Sequence, residues 1–414
     1  MVVEIVRGVR FAIVVLVAVV VALAGVILVA TYYMTHLTPS WELWSESPIS
    51  IDGNSDFVLS DAYMSGTGTC SDPYQLSVAR IDFSSGVGIE ISNTSAHFML
   101  KNSMVVFHDV NRDCFITSGI GIRIVNAANF TISNISMSGC DLRMRNCSTF
   151  ELSENRVSHF RATFEDCSEG LLADNTLGDI LIFNSTKFVV GTNSVSNIEL
   201  DNCRQIEVCE NFMKTGGLIA RDCERCSVIS NTVGYISLEH GTFDSEIRDN
   251  FIRNGTVHLD HAENITVDGN TIENSSSSPG IHLVDGVVNC TIVRNNISKC
   301  YGGISLRDAS GCIVYHNNIF SSLWSGGHML SDPLDSEFHA GGVLDEQGWL
   351  NSWDNGYPDG GNYYFDYSDL DIYCGQLQDT LGGDGIGDTP LVIYTYLAGT
   401  PAEDHYPLMA PYVG

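Results

Sequence analysis

Positive charge is scarce in this chain. Its 414 residues include 20 Lys and Arg against 50 Asp and Glu, for a formal net charge of -30 at pH 7. So acidic a surface repels phosphate backbones, which excludes sequence-nonspecific binding of nucleic acid. Cations and neutral sugars are the partners that this charge balance favours.

Long hydrophobic runs are also absent, with one exception. Residues 11–33, FAIVVLVAVVVALAGVILVATYY, run for 23 residues without a charge, enough to cross a bilayer. A signal peptide usually has a shorter apolar region, so we predict an uncleaved anchor. Arg7 and Arg10 precede the run and no basic cluster follows it, which predicts a single-pass cell-membrane protein with residues 1–10 cytoplasmic and the bulk extracellular.

Ten N-x-S/T sequons agree with an extracellular location and predict a glycoprotein. In a chain rich in Asn, Ser and Thr such triplets also arise by chance, so both interpretations stay open. The sequon asparagines are Asn93, Asn129, Asn134, Asn146, Asn184, Asn254, Asn264, Asn274, Asn289 and Asn296.

Helical periodicity is nearly absent beyond residue 34, and a repeat of about 20 residues takes its place. Each repeat holds an apolar strand, a polar pair, a small residue, a second apolar strand and an asparagine. This pattern predicts an all-β fold, a parallel β-helix of about eleven coils. The asparagine column is Asn102, Asn134, Asn155, Asn175, Asn193, Asn211, Asn231, Asn250, Asn270, Asn296 and Asn318.

We interpret the asparagine column as an internal hydrogen-bonded ladder. The small residue after the polar pair forms a second column, which makes its cysteines buried ladder residues. Disulfides between Cys147 and Cys167, or Cys203 and Cys223, stay open as alternatives. The CxxC spacing of Cys223 and Cys226 lacks a second pair and is a weak zinc signal. This column is Cys147, Cys167, Ser185, Cys203, Cys223, Gly241, Ala262, Gly286 and Ala309.

Motifs on both sides of the repeats resemble a known family. SPISIDGNSDF, SGTGTCSDPYQL and GIEISNTSAHFMLKNS before them, and NSWDNGYPDGGNYYFDY, GGDGIGDTPLVI and DHYPLM after them, are similar to archaeal surface proteins with NosD-like right-handed parallel β-helix repeats, a branch of the pectin-lyase-like superfamily. The resemblance implies right-handed coils, an external location and carbohydrate-related or surface functions; NosD itself is associated with copper delivery. We divide the chain into a linker (34–48), an N-terminal cap segment (49–85), the coils (86–320) and a closing module (321–414).

Signatures of polysaccharide-cleaving relatives, such as paired aspartates with Gly-His-Gly, are missing. Strand alternation nevertheless predicts one polar outward patch, with Leu238, Leu259, Leu283 and Leu306 pointing inward. Within it, the stacked pair Asp285 and Asp308, with Arg307, is a candidate catalytic set for glycan cleavage. A second candidate is a copper or zinc site at His258, Asp260, His261 and His282. The alternative is a solvated polar face.

The closing module is rich in aspartate around Gly-rich turns, and hard oxygen donors suit calcium. No EF-hand spacing is present, and turn or capping hydrogen bonds are the alternative. The candidate ligands are Asp366, Asp369, Asp371, Asp379, Asp384 and Asp388. Aromatic residues predict a small core for this module, and stacking of an exposed subset on sugar rings is the alternative: Trp349, Trp353, Tyr357, Tyr363, Tyr364 and Tyr367. Altogether the sequence favours a surface protein with a binding or structural, carbohydrate-related role; a polysaccharide lyase or hydrolase and a metal-delivery protein remain alternatives.

Overall fold

A computed structural model describes residues 47–108, 119–158, 161–322, 344–345, 351–393 and 402–413. These residues form an all-β, right-handed parallel β-solenoid of about 12 turns, as the repeat predicts. Their helical element is the short 3-10 turn Phe57–Leu59. No helix within these ranges is long and apolar enough to cross a membrane, and the predicted anchor at 11–33 lies outside them.

Three parallel sheets run the length of the rod, and each coil contributes to all three. In one coil, Asp179–Phe183 lies in the first sheet, Thr186–Gly191 in the second, and Ser194 bridges to the third before Asn197–Asp201 begins the next coil. Inward positions of the first sheet are apolar, and the four leucines predicted to point inward are fully buried. The core is therefore a narrow column between the sheets.

The first sheet contains Ile49–Asp52, Val87–Thr94, the start of Gly119–Ser133, Cys140–Arg145, Ala162–Glu165, Asp179–Phe183, Asn197–Asp201, Gly217–Arg221, Tyr235–Glu239, Val257–Asp260, Pro279–Val284, Gly302–Leu306 and Leu344–Asp345. The second contains Tyr63–Ser65, Tyr74–Ser77, Phe98–Lys101, the end of Gly119–Ser133, Ser148–Ser153, Ser168–Ala173, Thr186–Gly191, Arg204–Cys209, Ser227–Ile229, Glu246–Arg248, Thr266–Asp268, Thr291–Val293 and Ile313–Tyr315, with the short pair Val287–Val288 and Ala309–Ser310 beside it. The third contains Ile81–Phe83, Met104–Phe107, Ser136–Ser138, Arg156–Ser158, Thr232–Val233, Phe251–Arg253, Thr271–Glu273, Asn296–Cys300, Asn318–Ser322 and Tyr363–Tyr364.

Both flanking segments contribute to these sheets. Ile49–Asp52 pairs in parallel with Val87–Thr94, so the first coil already begins within the N-terminal cap segment. At the other end Tyr363–Tyr364 pairs with Asn318–Ser322, which extends the third sheet into the closing module. Two antiparallel hairpins complete that module: Tyr373–Cys374 with Thr380–Leu381, and Leu391–Ile393 with Ala402–Asp404.

Buried asparagines form a continuous ladder between the second and third sheets. Each side-chain amide donates to the side-chain oxygen of the next asparagine at 2.9–3.0 Å, and the final donation, from Asn362 to Asp404, is 3.4 Å long. The ladder runs through Asn155, Asn175, Asn193, Asn211, Asn231, Asn250, Asn270, Asn295, Asn317 and Asn362. Two predicted members were wrong: Asn296 and Asn318 bond each other beside the ladder, because Asn295 and Asn317 supply the ladder amides of each Asn-Asn pair.

The predicted ladder also differs at its start. Asn102 and Asn134 form a separate, exposed amide pair at 2.7 Å. Both have positive φ, so they occupy a turn position and not the buried ladder position that Asn155 takes up one residue after its own turn.

The column of small residues lies between the first and second sheets. Cys147, Cys167, Cys203 and Cys223 are buried free thiols, and each sulfur donates to a backbone carbonyl within its corner. Two predicted members were wrong by one residue: Thr242 and Val287 are buried in this column where Gly241 and Gly286 were expected. Both glycines have positive φ and lengthen the corner that precedes the column.

Left-handed corners account for most of the sequons. Nine of the ten sequon asparagines have φ between 49° and 65°, and Asn296 is the exception. Asn tolerates this conformation better than most residues, so the fold itself favours asparagine at these corners. Glycosylation of these sites stays a prediction.

Phenylalanine rings stack along the inside of the second sheet in the N-terminal half of the rod. The ring centroids of Phe98 and Phe130 are 4.8 Å apart, and those of Phe130 and Phe150 are 5.4 Å apart. The next position is Gly170, where a Cβ would lie 2.6 Å from the Phe150 ring and 2.8 Å from the Phe188 ring. The glycine therefore makes room for two rings.

We expect Gly170→Ala to lower the free energy of unfolding by about 1–3 kcal/mol, because the added methyl overpacks the core. Urea unfolding followed by circular dichroism measures this. Gly191→Ala, on the same sheet, is the control and should cost less, because its nearest contact is the Cys209 sulfur at 3.2 Å. Equal stability of the two variants would contradict the steric explanation.

Candidate functional site

The outer face of the first sheet carries one row of side chains that crosses eleven coils in register and is polar except at Leu181 and Ile219. Alternation places these side chains outward, and parallel pairing stacks them along the rod axis. The row is Glu90, Arg123, Arg143, Thr163, Leu181, Glu199, Ile219, Ser237, His258, His282 and Ser305. Arginine, carboxylate, tyrosine and histidine side chains all occur on this face.

An open cavity of about 490 Å³ lies at the N-terminal part of this face. Arg123 bonds Glu90 at 3.2 Å, and Arg145 lies 3.7 Å from Glu165. Arg143, whose side chain is half exposed, bonds the buried carboxylate of Asp141 at 3.0 Å. We call this region, lined by Arg123, Arg143, Arg145, Glu90 and Glu165, the arginine trough. Arg123 pairs with Glu90 and Arg145 with Glu165 on adjacent coils, so the trough offers paired hydrogen-bonding groups with a small excess of positive charge.

A narrower cavity of about 240 Å³ follows along the same face. We call it the tyrosine pocket; its lining is Arg161, Asp179, Leu181, Asn197, Glu199, Gly217, Ile219 and Tyr235. It adjoins the arginine trough, because Thr163 of the trough and Leu181 of the pocket are register partners on adjacent coils.

Arg221 holds one carboxylate of the pocket and a second one on the following coil. Its guanidinium bonds Glu199 at 3.1 Å and Glu239 at 3.0 Å, on the coils before and after its own. These two carboxylates raise the pKa of Arg221. Burial, together with Glu199 and Glu239, raises the pKa of the Tyr235 phenol, so Tyr235 stays a hydrogen-bond donor at neutral pH.

The four residues of the predicted copper or zinc site do not converge. His258 and His282 are neighbours, with ring centroids 5.4 Å apart, but His261 lies on the exposed corner and bonds Asp260 at 2.5 Å. Among the described residues no three His, Cys, Asp or Glu side chains are arranged to hold a metal ion. Burial, with His258 and Arg307 nearby, lowers the pKa of His282 to about 4. The two histidines alone do not supply the ligand set that a copper or zinc site requires.

The candidate catalytic aspartates occupy left-handed corners. Asp285 and Asp308 have φ of 53° and 52° at equivalent positions of neighbouring coils, and both are exposed, as is Arg307. The same column holds Asn184, Asn202 and Asp222 on earlier coils, so backbone conformation alone accounts for aspartate here.

The calcium candidates of the closing module are engaged by the backbone and by hydroxyls. Asp371 accepts the N–H groups of Asp384 and Gly385, and Asp388 accepts those of Ile372 and Tyr373. Asp369 accepts the Tyr367 hydroxyl, and Asp384 accepts the Ile386 N–H. These contacts are the turn and capping bonds of the alternative interpretation. Asp366 and Asp379 lie at the exposed surface nearby, and a calcium role stays a prediction.

The aromatic residues of the closing module divide into buried and surface groups. Trp353 and Tyr364 are fully buried, and Trp353 donates to Asp345 at 3.0 Å. Tyr363 and Tyr367 are half-buried, Tyr357 is exposed, and Trp349 lies outside the described residues. Two of the six therefore form the core.

Sequence reasoning missed the arginine trough and the tyrosine pocket. Arg143, Asp179, Glu199 and Tyr235 share no local motif, because residues that meet across coils are separated by a whole repeat. Aligning the first-sheet strand of every coil by its inward apolar residues would have revealed which outward residues are neighbours.

Part of the chain matches a known family. Residues 188–332 match the family described as right handed beta helix region. No curated protein matches the sequence.

Solved structures of similar fold include the A-module of mannuronan C-5 epimerase AlgE6 from Azotobacter vinelandii, with 11% identity, a TM-score of 0.41, and coverage of 59% of this chain and 83% of that one. The Streptococcus pneumoniae surface protein and adhesin PfbA has 12% identity, a TM-score of 0.33, and coverage of 56% and 86%. A PL6 family polysaccharide lyase from Pseudopedobacter saltans has 8% identity, a TM-score of 0.27, and coverage of 73% and 92%. Similarity at this level carries no argument about the activity of this chain.

Proposed function

We propose that the protein is an extracellular β-helix surface protein that binds carbohydrate along the outer face of its first sheet. The observation that carries the proposal is the in-register row, polar at nine of its eleven positions, with its two adjoining cavities. Sugar hydroxyls both donate and accept hydrogen bonds, and the arginine trough pairs donors with acceptors on successive coils. A groove that crosses coils at about 4.8 Å suits an extended polymer better than a compact ligand.

Location is the second part of the proposal. Residues 11–33 anchor the chain in the cell membrane and leave the rod outside. The motifs before and after the coils support a NosD-like, archaeal surface protein. Glycan binding at an external face agrees with that location.

Binding is favoured over cleavage because three carboxylates of this face already form ion pairs with arginine. Arg221 bonds both Glu199 and Glu239, and Arg143 bonds Asp141. A carboxylate fixed in an ion pair is a poor general acid, since the arginine favours its ionised form. A lyase or hydrolase is the alternative function.

We expect the full-length protein in detergent to bind at least one polysaccharide from a panel of neutral and acidic polymers by isothermal titration calorimetry. The double variant Arg143→Ala, Arg145→Ala should weaken that binding about tenfold or more, because charge-assisted hydrogen bonds are lost. Arg253→Ala, which removes an exposed ion pair to Glu273 on the third sheet, is the matched control and should bind normally.

Product analysis on the same panel separates binding from cleavage. Intact polymers after prolonged incubation agree with a binding role, whereas shortened products establish an enzyme. No binding to any polymer, or equal binding by the double variant, contradicts the proposal.

A further inference from the structure

Glycine creates the space in which the tyrosine pocket forms. Gly217 and Tyr235 are register partners on adjacent coils of the first sheet. A Cβ at residue 217 would lie 2.6 and 2.7 Å from ring carbons of Tyr235, so the ring lies directly against the backbone of the preceding coil. Packing on that side fixes the ring, and the half-buried side chain leaves its remaining surface on the pocket. A rigid aromatic surface is therefore built into the face.

The rest of the pocket complements one sugar ring. Leu181 and Ile219 supply apolar floor positions, while Asp179 and Asn197 supply polar atoms at the side. The Asn197 amide donates to Asp179 at 2.9 Å, and its oxygen accepts the Gly217 N–H at 3.2 Å, so both groups are held in place. The cavity of about 240 Å³ is smaller than the roughly 300–1,000 Å³ that drug-sized ligands fill, which suits a single ring.

Charge selects the class of sugar. Asp179 and Glu199 line the pocket with one arginine, Arg161, whose guanidinium lies 3.8 Å from Asp179. Glu239 lies close by through its bond to Arg221. An anionic sugar would meet this excess of carboxylate within a chain of net charge -30. Uncharged hydroxyls would instead donate to the carboxylates without repulsion.

We infer that the tyrosine pocket is a subsite for one neutral pyranose ring, stacked by its C–H face on Tyr235, within a glycan that continues into the arginine trough. The inference rests on the proposed function, because it names the substrate class of the same face. Tyr235 is a positioning residue for the sugar.

The test compares binding of neutral polysaccharides to the full-length protein and three variants by calorimetry. Tyr235→Ala should weaken binding about tenfold or more, because the buried aromatic contact is lost. Tyr235→Phe should keep affinity within about threefold, since the ring is retained and a hydroxyl contributes less. Tyr357→Ala, an exposed tyrosine of the closing module, is the control and should bind as wild type. Circular dichroism melting checks that each variant is folded.

The outcomes separate the two proposals. Binding that depends on Arg143 and Arg145 but not on Tyr235 would leave the proposed function standing and overturn the subsite. Preference for acidic polymers, with affinity that falls as salt rises, would overturn the neutral class. Absence of binding to every polymer would overturn both.

Discussion

Replacement of Asn211 by alanine should unfold this protein at markedly lower urea concentration than wild type. The Asn211 amide donates to the carbonyl of Val190 at 2.7 Å and to Asn231, and its oxygen accepts both the backbone N–H and the side-chain amide of Asn193 at 3.0 Å. Alanine leaves the Asn193 N–H and the Val190 carbonyl buried without these partners. At about 1–3 kcal/mol for each buried orphan, plus the lost bonds, we expect a cost of about 3–5 kcal/mol.

The matched control is Asn202→Gly on the same coil. Asn202 also donates to an asparagine of the neighbouring coil, Asn184 at 2.8 Å, but it is exposed. Its φ of 50° is one that glycine adopts freely, so we expect a change below about 0.5 kcal/mol. Circular dichroism during urea unfolding measures both variants. If Asn211→Ala were as mild as its control, the ladder would not be a main source of stability.

Asp404→Asn should make the stability of the protein less dependent on pH. Asp404 is fully buried and ends the asparagine ladder: it accepts the Asn362 N–H at 2.8 Å and the Tyr406 N–H at 3.1 Å. Burial raises the pKa of its carboxyl from 3.8 to about 7. Between these values the folded state keeps a proton that the unfolded chain has lost, so the contribution of Asp404 to stability is greatest below pH 4 and falls as pH rises to about 7.

Asparagine does not titrate, so the stability of the variant relative to wild type should increase as pH rises. At 1.36 kcal/mol for each unit, the difference between them should change by on the order of 4 kcal/mol from pH 4 to pH 8. Thermal melting across this range measures it. Carboxyls with lowered pKa, such as that of Asp82 at about 2 beside Arg80, affect both proteins equally.

Asp379→Asn, an exposed carboxyl of the same module, should follow the wild-type pH profile. Parallel profiles for wild type and Asp404→Asn would show that Asp404 is ionised in the fold throughout.

The repeat could be predicted from sequence because each coil has the same three requirements: apolar inward positions, a small residue at one corner and an asparagine at another. The exact residue that occupies each column was harder to predict from sequence. In the pairs Asn295-Asn296 and Asn317-Asn318 both residues fit the pattern, and only the fold shows which member joins the ladder. Gly241 and Gly286 each lengthen a corner by one residue, which local spacing does not reveal.

The binding face was less predictable than the fold. His258 and His282 could be paired from sequence because they lie in similar short motifs, and the structure does place their rings side by side. Arg143 and Glu199 lie in unlike motifs and stand in one row through backbone pairing alone. Asp285 and Asp308 are candidates by their repetition, but a left-handed corner favours aspartate without any catalytic role, and His240 and His261 occupy the same position on earlier coils.

The left-handed corners also determine how the rod responds to ions in solution. Ten acidic residues hold such corners: Glu154, Asp166, Glu169, Asp174, Glu210, Asp222, Asp244, Asp249, Asp285 and Asp308. Where two of them occupy one column on adjacent coils, as Glu154 with Asp174 and Asp285 with Asp308, the spacing of about 4.8 Å lies well within a Debye length of about 10 Å at 0.1 M salt. The rod is therefore a folded polyelectrolyte, along which counterions gather. Repulsion between these carboxylates destabilises the folded state, and each increase in ionic strength weakens that repulsion.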